Sequence, residues 1–234
     1  MHLYVANKLY SSWSLRPWLA MRAAGLDFDE TVIAMYQPDS KARMLDVSPT
    51  GKMPCLVDGD VKVWESLAII EYLADKFPDK GLWPTDRAAR AHARAVSAEM
   101  HAGFQGLRQL CPMNLGKRFK PRDDLGSDVA DNLRRFEGLV SDARRRFGGG
   151  GEFLYGAFCG ADAMFAPLAT RLDTYAFTLA PQTRRYINAI LAHDAFKDWL
   201  ADALAEPWGI PHYEVGWTAS EILHQPSIVV GHQR

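Results

Sequence analysis

The sequence predicts a small α/β domain followed by an all-helical domain. Strand and helix patterns alternate as far as residue 78, and a turn-rich stretch occupies residues 79–85. From residue 86 onward, nearly all of the apolar spacing is typical of helices. We therefore expect an α/β domain at residues 1–78, a linker at residues 79–85 and a helical domain with a C-terminal tail at residues 86–234.

The α/β domain has the predicted order β-α-β-α-β-β-α. Short alternating segments predict the first two strands, and Asp58-Gly59-Asp60 predicts a hairpin between the last two. Apolar residues at helical spacing predict three helices, the last of which ends at Pro78. Because proline is tolerated only in the first turn of a helix, Pro17 places the start of the first helix close to Ser14, with Ser14 as its N-cap.

The helical domain is predicted to contain five helices separated by turns. The predicted helices span residues 86–118, 122–147, 162–177, 181–193 and 194–206. The glycines at residues 148–151 predict a flexible turn, because no strand precedes them as a phosphate-binding loop requires. From Pro207 onward the chain is rich in turn residues and aromatic residues, and we expect this tail to lie extended over the body.

Composition and charge exclude several classes of protein. Hydrophobic residues make up 48% and charged residues 24% of the 234 residues, as in ordinary soluble globular proteins. The formal net charge is -1, so bulk electrostatics predict no nucleic-acid partner. No apolar run approaches the roughly 20 residues of a membrane span. The N-terminal residues also lack the apolar run of a secretory leader, and we expect no membrane partner.

The cysteine and histidine patterns predict a protein without disulfides or a metal. Cys55, Cys111 and Cys159 are far apart and odd in number, which favours a reducing, cytoplasmic location. His92 and His101 share a predicted helix but have no third ligand at a useful spacing, so we expect no metal site.

A serine cluster precedes the first predicted helix. Ser11 and Ser12 would lie just ahead of its N-terminus, where free N–H groups and the helix dipole favour an anion. A hydroxyl there can donate a hydrogen bond to a bound thiolate and lower the pKa of the thiol. Alternatively, the serines only cap the helix, and Arg16 is a structural ion-pair partner. No cysteine occurs at residues 11–14, which disfavours thiol–disulfide exchange.

Two further segments can bind an extended, charged ligand. A cis Met53–Pro54 bond would turn the Met53 backbone outward to pair with an extended peptide, and Lys52 could reach an anionic group. Ser66 opens the third predicted helix and can hold a carboxylate, while Glu65 can pair with an ammonium group. The alternatives are an ordinary surface turn at Lys52 and a Glu65 that serves only the helix dipole. Together with the serine cluster, these segments fit a short, charged, thiol-containing peptide.

These segments resemble motifs of the cytosolic glutathione transferase superfamily, and the resemblance covers nearly the whole chain. The similar segments are Ser11-Ser12-Trp13-Ser14-Leu15-Arg16, Ser48-Pro49-Thr50-Gly51-Lys52-Met53-Pro54, Glu65-Ser66-Leu67-Ala68-Ile69 and residues 153–162. In order, they resemble the serine-type catalytic loop, the cis-proline segment, the element that holds the γ-glutamyl group, and a helix-capping motif. The resemblance implies a thioredoxin-like N-terminal domain, an all-α C-terminal domain and a homodimer.

The resemblance also implies how glutathione binds as a co-substrate. Its thiol should lie near the catalytic serine, Ser11 or Ser12. The resemblance also implies that Lys52 binds its glycyl carboxylate and that Met53, beside Pro54, pairs with its backbone. It implies that Glu65 and Ser66 bind its γ-glutamyl group.

The serine loop is most similar to the zeta type, which includes maleylacetoacetate isomerases and typically reads Ser-Ser-Cys. This chain has Trp13 in place of that cysteine. The resemblance implies transfer of glutathione to small electrophiles, a detoxification reaction. The alternatives are a glutathione-dependent, maleylacetoacetate isomerase-like reaction and a non-catalytic binding module. An electrophile pocket should lie between the domains, with Tyr10, Trp13, Met113 and Asn114 as candidate lining residues and ordinary packing as the alternative.

Overall fold

A four-stranded sheet forms the centre of the N-terminal part in the computed structural model, which describes residues 1–213 and 216–231. Its strands are β1 (His2–Val5), β2 (Asp29–Val32), β3 (Cys55–Asp58) and β4 (Val61–Trp64). The strand order is β2-β1-β3-β4, with β1 parallel to β2 and antiparallel to β3. The antiparallel β3–β4 pair is the predicted hairpin, so the strand content predicted from the sequence is confirmed.

Three helices accompany this sheet, namely α1 (Ser12–Ala23), α2 (Ser40–Val47) and α3 (Ser66–Lys76). The predicted element order is therefore confirmed, but the predicted start of α1 at Ser14 is wrong. Ser11 is the N-cap, and its side chain accepts a hydrogen bond from the Ser14 amide at 3.3 Å. Pro17 lies inside the helix. Its ring removes only one helical N–H, and the capped first turn ahead of it still forms.

Six helices build most of the C-terminal part. They are α4 (Arg87–Ala102), α5 (Gln105–Leu110), α6 (Ser127–Phe147), α7 (Gly160–Thr174), α8 (Pro181–Ala192) and α9 (Asp194–Ala205). The single helix predicted at residues 86–118 is wrong beyond Ala102. Phe104 takes a left-handed φ of 58°, which a continuous helix does not allow, and the chain from Pro112 to Gly116 is not helical.

The chain after α9 returns over the body in short strands. These are β6 (Trp208–Gly209), β7 (Ala219–Ile222) and β8 (Ile228–Val229), and β7 pairs with β5 (Lys117–Phe119) from the loop before α6. Side-chain hydrogen bonds also hold this tail to the rest of the molecule. For example, the Trp217 indole donates to the Leu110 carbonyl at 2.9 Å, and the Ile210 amide donates to the Tyr10 hydroxyl at 3.3 Å. The region predicted to be all-helical is thus mostly helical, with short strands in its loops and tail.

The hydrophobic core runs through both parts of the molecule and centres on α7. Almost every residue of α7 is buried, and the helix packs against α1, α4 and α8.

Asp162 closes the first turn of α7, because its carboxylate accepts hydrogen bonds from the amides of Cys159 at 2.9 Å and Leu154 at 3.1 Å. Arg16 on α1 donates from Nε to the Met164 carbonyl at 3.2 Å, in place of the expected ion pair. These contacts fix α1, and the loop before it, against the helical part. The domain division at residues 79–85 stays a prediction.

The three cysteines are buried and free. Within residues 1–213 and 216–231, no cluster of three His, Cys, Asp or Glu side chains has the arrangement of a metal site. None of the helices in the same ranges combines the length and apolar character needed to cross a membrane.

Candidate functional site

The loop between β1 and α1 carries the serine cluster and is tightly turned. The amides of Tyr10 and Ser11 both donate to the Asn7 carbonyl, at 3.2 and 2.8 Å. The Asn7 side chain accepts in turn from the Met35 amide at 2.7 Å, which ties the loop to the chain after β2. This geometry holds Ser11 at the N-terminus of α1, where unpaired N–H groups favour a negative charge.

Ser11 and Ser12 have different surroundings. The Ser11 hydroxyl donates to the Ser14 hydroxyl at 2.8 Å, and Ser14 Oγ also accepts from the Ala6 amide at 3.0 Å. The Ser12 hydroxyl makes no hydrogen bond with the other described residues. Ser11 is 8% exposed and Ser12 is half-buried, and both line the same cavity.

A buried network fastens this loop to the end of α9. The Glu206 carboxylate accepts the amides of Lys8 at 2.7 Å and Leu9 at 3.2 Å. The Lys8 ammonium pairs with Asp202 at 2.6 Å, and the Trp199 indole donates to the Lys8 carbonyl at 3.0 Å. Burial raises the pKa of Glu206 to about 7. The segment leading into the serines is therefore positioned by residues near the C-terminal end of the chain.

A cavity of about 610 Å³ opens in front of the serines. Its walls come from the serine loop, the segment before β3, α5 and the tail. Of the candidate site residues, it is lined by Tyr10, Ser11, Ser12, Trp13, Lys52, Met53 and Met113. Asn114 is buried outside this lining, where its side chain accepts from the Gly116 amide at 2.9 Å.

A second cavity, of about 300 Å³, shares three lining residues with the first. The shared residues are Trp13, Lys52 and Met53. Pro54 and Glu65 complete the part of its wall that sequence analysis singled out, and the Met53–Pro54 bond is cis. The serine loop, the proline segment and the start of α3 thus surround one continuous depression.

The start of α3 combines an unusual backbone with an unsatisfied hydroxyl. Glu65 is the residue before the helix and has a φ of +72°, a conformation that side-chain-bearing residues rarely adopt. Its carboxylate lies 3.5 Å from His101 Nε2. The Ser66 hydroxyl is buried without a hydrogen-bond partner among the described residues. A buried polar group without a partner is costly, which makes Ser66 a candidate ligand contact.

Cations dominate the side of the first cavity that faces α5 and α7. Arg108 and Arg171 both line it, and no carboxylate does so within residues 1–213 and 216–231. Arg171 is buried and donates to the carbonyls of Cys111 at 2.8 Å and Pro167 at 3.0 Å. Burial, together with the nearby charge of Arg108, lowers the pKa of Arg171 to about 10. Both guanidiniums remain charged near neutral pH, so this wall attracts anions.

Comparison with known proteins identifies the family of the chain. The sequence profile of the glutathione S-transferase N-terminal domain matches residues 10–76. A relative from Caenorhabditis elegans, named a probable maleylacetoacetate isomerase, is 31% identical over 195 residues, which cover 79% of this chain and 87% of the relative. The chain belongs to the cytosolic glutathione transferase superfamily.

Two further proteins show how far the likeness of this family member extends. A maleylacetoacetate isomerase from Pseudomonas aeruginosa is 27% identical over 208 residues, covering 84% of this chain and 94% of the relative. The crystal structure of a glutathione transferase homologue from Burkholderia gl BGR1, with bound glutathione, has 24% identity and a TM-score of 0.64. That likeness covers 86% of this chain and 97% of the other chain. The predicted fold, a thioredoxin-like part followed by a mostly helical part, is confirmed.

Sequence reasoning missed several cavity residues of this glutathione transferase family member. The missed residues include Gln105, Arg108, Arg171, His212 and Tyr213. Gln105 and Arg108 fall within a stretch that was predicted as one long helix, and the break after α4 is what turns them toward the serines. His212 and Tyr213 belong to the tail, for which no register could be predicted. The arginine on α7 carried one usable signal, because it is the single basic residue in a mostly apolar helix.

Proposed function

We propose that the chain binds glutathione and activates its thiol for attack on small electrophiles. The observation that carries this proposal is the placement of three segments around two joined cavities. They are the serine loop at the N-terminus of α1, the Met53–Pro54 segment and the start of α3. Family membership supports the same conclusion.

Thiol activation follows from the N-terminus of α1. A free thiol has a pKa near ~8.5, and lowering it by two units requires about 2.7 kcal/mol. A hydrogen bond from Ser11 or Ser12 to the thiolate contributes roughly 1.5–3 kcal/mol, and the dipole of α1 adds to it. The thiol proton passes to solvent, the sulfur forms a bond to the electrophilic carbon, and the leaving group departs with its electron pair.

The rest of glutathione fits the second cavity. Met53 offers backbone groups to the peptide, and Lys52 offers a cation to its glycyl carboxylate. At the other end, Ser66 offers the unpartnered hydroxyl and the first N–H of α3 to the γ-glutamyl carboxylate. Glu65 is available to pair with the ammonium group, and the positive φ of Glu65 is a strained conformation of the kind found at ligand-binding sites.

A binding and a turnover measurement test this proposal together. The protein should be retained on immobilised glutathione, eluted by free glutathione, and should conjugate glutathione to a generic aromatic electrophile. Failure of both would contradict the proposal. Retention without turnover, for every electrophile in a broad screen, would favour the non-catalytic binding module.

The cationic wall favours a second candidate reaction, glutathione-dependent isomerisation of a dicarboxylate. Arg108 and Arg171 present charge to the first cavity, and two relatives are named maleylacetoacetate isomerases. In such a reaction the thiolate adds to a carbon–carbon double bond, the resulting single bond rotates, and the thiolate leaves again. Glutathione is then required but not consumed, so assays of maleylacetoacetate conversion should show no loss of free thiol.

Family membership also supports an assembly and a location. We infer a homodimer in the cytoplasm that acts on small molecules, in line with a detoxifying role and without nucleic-acid or membrane partners. The edge strand β4 leaves the apolar Val61 side chain 44% exposed, which fits an edge that a second copy covers. Sedimentation at several concentrations should give the mass of a dimer, and a monomer throughout would contradict this inference.

A further inference from the structure

Trp13 links helices from both parts of the molecule and lines both cavities. The centroid of its ring lies 4.3 Å from the guanidinium carbon of Arg16 on α1 and 4.4 Å from that of Arg108 on α5. The His101 ring meets the indole edge-on, with 5.2 Å between centroids. Two guanidiniums therefore share contact with a single indole beside the serine loop.

Arg108 is anchored on one side of its guanidinium and open on the other. Its Nη1 donates to the carbonyls of His101 at 3.0 Å and Gly103 at 3.2 Å. Its Nε and Nη2 make no hydrogen bond with the described residues, and the side chain lines the first cavity. A guanidinium presents its donors in a planar fork that matches a carboxylate. The open side of Arg108 is therefore suited to an anionic group on the electrophile.

Like charges oppose this position of Arg108. Arg16 is fully buried with Nη1 unpartnered among the described residues, and its pKa is well below the usual range because of burial and the nearby charges of Arg171 and Arg108. Glu65, in the wall of the second cavity, offsets part of the charge of Arg16, but no carboxylate in the described part of the chain lines the first cavity beside Arg108. A guanidinium on the short helix α5 would gain hydration by turning away. The negative face of the indole attracts a guanidinium and opposes that movement.

We infer that Trp13 determines the preference of this site for anionic electrophiles, by holding the Arg108 guanidinium at the cavity wall. The inference rests on the proposed transfer of glutathione at the same site. In this account Arg108 touches the substrate, and Trp13 acts through it as a positioning residue.

A matched pair of electrophiles isolates the charge from the reaction. We would use a chlorodinitrobenzoate and its methyl ester, which share the reacting carbon and differ in a carboxylate. In both reactions the glutathione thiolate forms a carbon–sulfur bond and chloride leaves with the electron pair of the carbon–chlorine bond. The readout is the ratio of kcat/KM for the benzoate to kcat/KM for the ester at saturating glutathione.

Three substitutions separate stacking from bulk. Trp13→Phe keeps an aromatic face, and we expect the ratio to stay within about threefold of the wild-type ratio. Trp13→Leu keeps an apolar side chain without that aromatic face, and Arg108→Gln removes the charge. Each of these two substitutions should lower the ratio about tenfold, mainly by raising KM for the benzoate. Arg94→Gln is the matched control, because the Arg94 guanidinium also lies near an indole, 5.8 Å from the Trp83 ring, outside both cavities.

The outcomes distinguish this inference from the proposed function. Equal ratios for Trp13→Leu and Trp13→Phe would overturn the role of the indole, and an unchanged ratio for Arg108→Gln would overturn the anion contact. If the wild-type protein conjugates neither electrophile and does not bind immobilised glutathione, the proposed function itself fails. Circular dichroism and retention on glutathione verify that each variant is folded before its ratio is used.

Discussion

The hydroxyl groups of Ser11 and Ser14 are hydrogen-bonded, with their oxygen atoms 2.8 Å apart. Ser14 Oγ also accepts from the Ala6 amide at 3.0 Å, so the residue that follows β1 is tied to the first turn of α1. A hydroxyl has one proton to donate and two lone pairs. When Ser11 donates to a bound thiolate, Ser14 can donate to Ser11, and the pair then orients the hydroxyl on which the proposed chemistry depends.

Replacement of Ser14 by alanine should destabilise the protein. The substitution leaves the buried Ala6 amide without its acceptor, and an unpaired buried N–H costs about 1–3 kcal/mol. Urea denaturation should therefore show a fall of that size in the free energy of unfolding. The matched control is Ser127→Ala at the exposed start of α6, where we expect a change within about 0.5 kcal/mol. Equal effects of the two substitutions would contradict the role of Ser14.

Ser66→Ala should weaken glutathione binding without destabilising the free protein. The Ser66 hydroxyl is buried and unpartnered among the described residues, so its removal takes away an unsatisfied group and not a hydrogen bond. We expect the Kd for glutathione, measured by titration calorimetry, to rise about tenfold.

The control for Ser66 is Ser97→Ala on α4. The Ser97 hydroxyl is also buried, has no hydrogen-bond partner in the described part of the chain, and lies outside both cavities. Its replacement should leave the Kd for glutathione unchanged. If both alanine variants bind glutathione like the wild type, the assignment of Ser66 is wrong.

The Glu206 carboxyl should make stability depend on pH in a defined direction. Burial raises its pKa from 4.5 to about 7. Between these two pH values the carboxyl has lost its proton in the unfolded chain but keeps it in the folded protein. The free energy of unfolding therefore falls as the pH rises from about 5 to about 7, by roughly 3 kcal/mol from this group. The variant Glu206→Gln cannot titrate at this position, so its own free energy of unfolding should lack this fall.

Chemical denaturation at a series of pH values measures this difference. The free energy of unfolding of the wild type minus that of Glu206→Gln should decrease from pH 5 to pH 7. An exposed carboxylate on β7, Glu221, supplies the control, and Glu221→Gln should follow the wild-type profile. A difference between wild type and Glu206→Gln that stays constant or grows as the pH rises contradicts the account.

The sequence was sufficient to predict those parts of the fold whose signals are local. Asp58-Gly59-Asp60 encodes the β3–β4 hairpin, and Glu65 and Ser66 mark the start of α3 correctly. The start of α1 was misplaced because Pro17 was taken to lie in the first turn, although a well-capped helix tolerates the loss of one N–H further in. The end of α4 was missed because nothing local announces that Phe104 takes a left-handed backbone.

The rest of the site depends on contacts between distant parts of the chain. Trp13 on α1 and Arg108 on α5 are far apart in the sequence and meet only in the folded protein. Glu206 reaches the amide of Lys8 across almost the whole length of the sequence. Such pairs leave no periodic pattern, and their energies belong to the packed structure and not to local propensity.

The central proposal is that a serine at the N-terminus of α1 stabilises the thiolate of bound glutathione, and we propose Ser11 over Ser12 because the Ser14 hydroxyl orients the Ser11 hydroxyl. The most direct measurement is the pKa of that thiol, followed by the ultraviolet absorbance of the thiolate in the protein–glutathione complex as the pH is raised. The account predicts a pKa about two units below the ~8.5 of a free thiol in the wild type, and a return by about one unit or more in Ser11→Ala, with a smaller change in Ser12→Ala. A bound thiol that titrates like free glutathione, or a pKa that Ser11→Ala leaves unmoved, would contradict it.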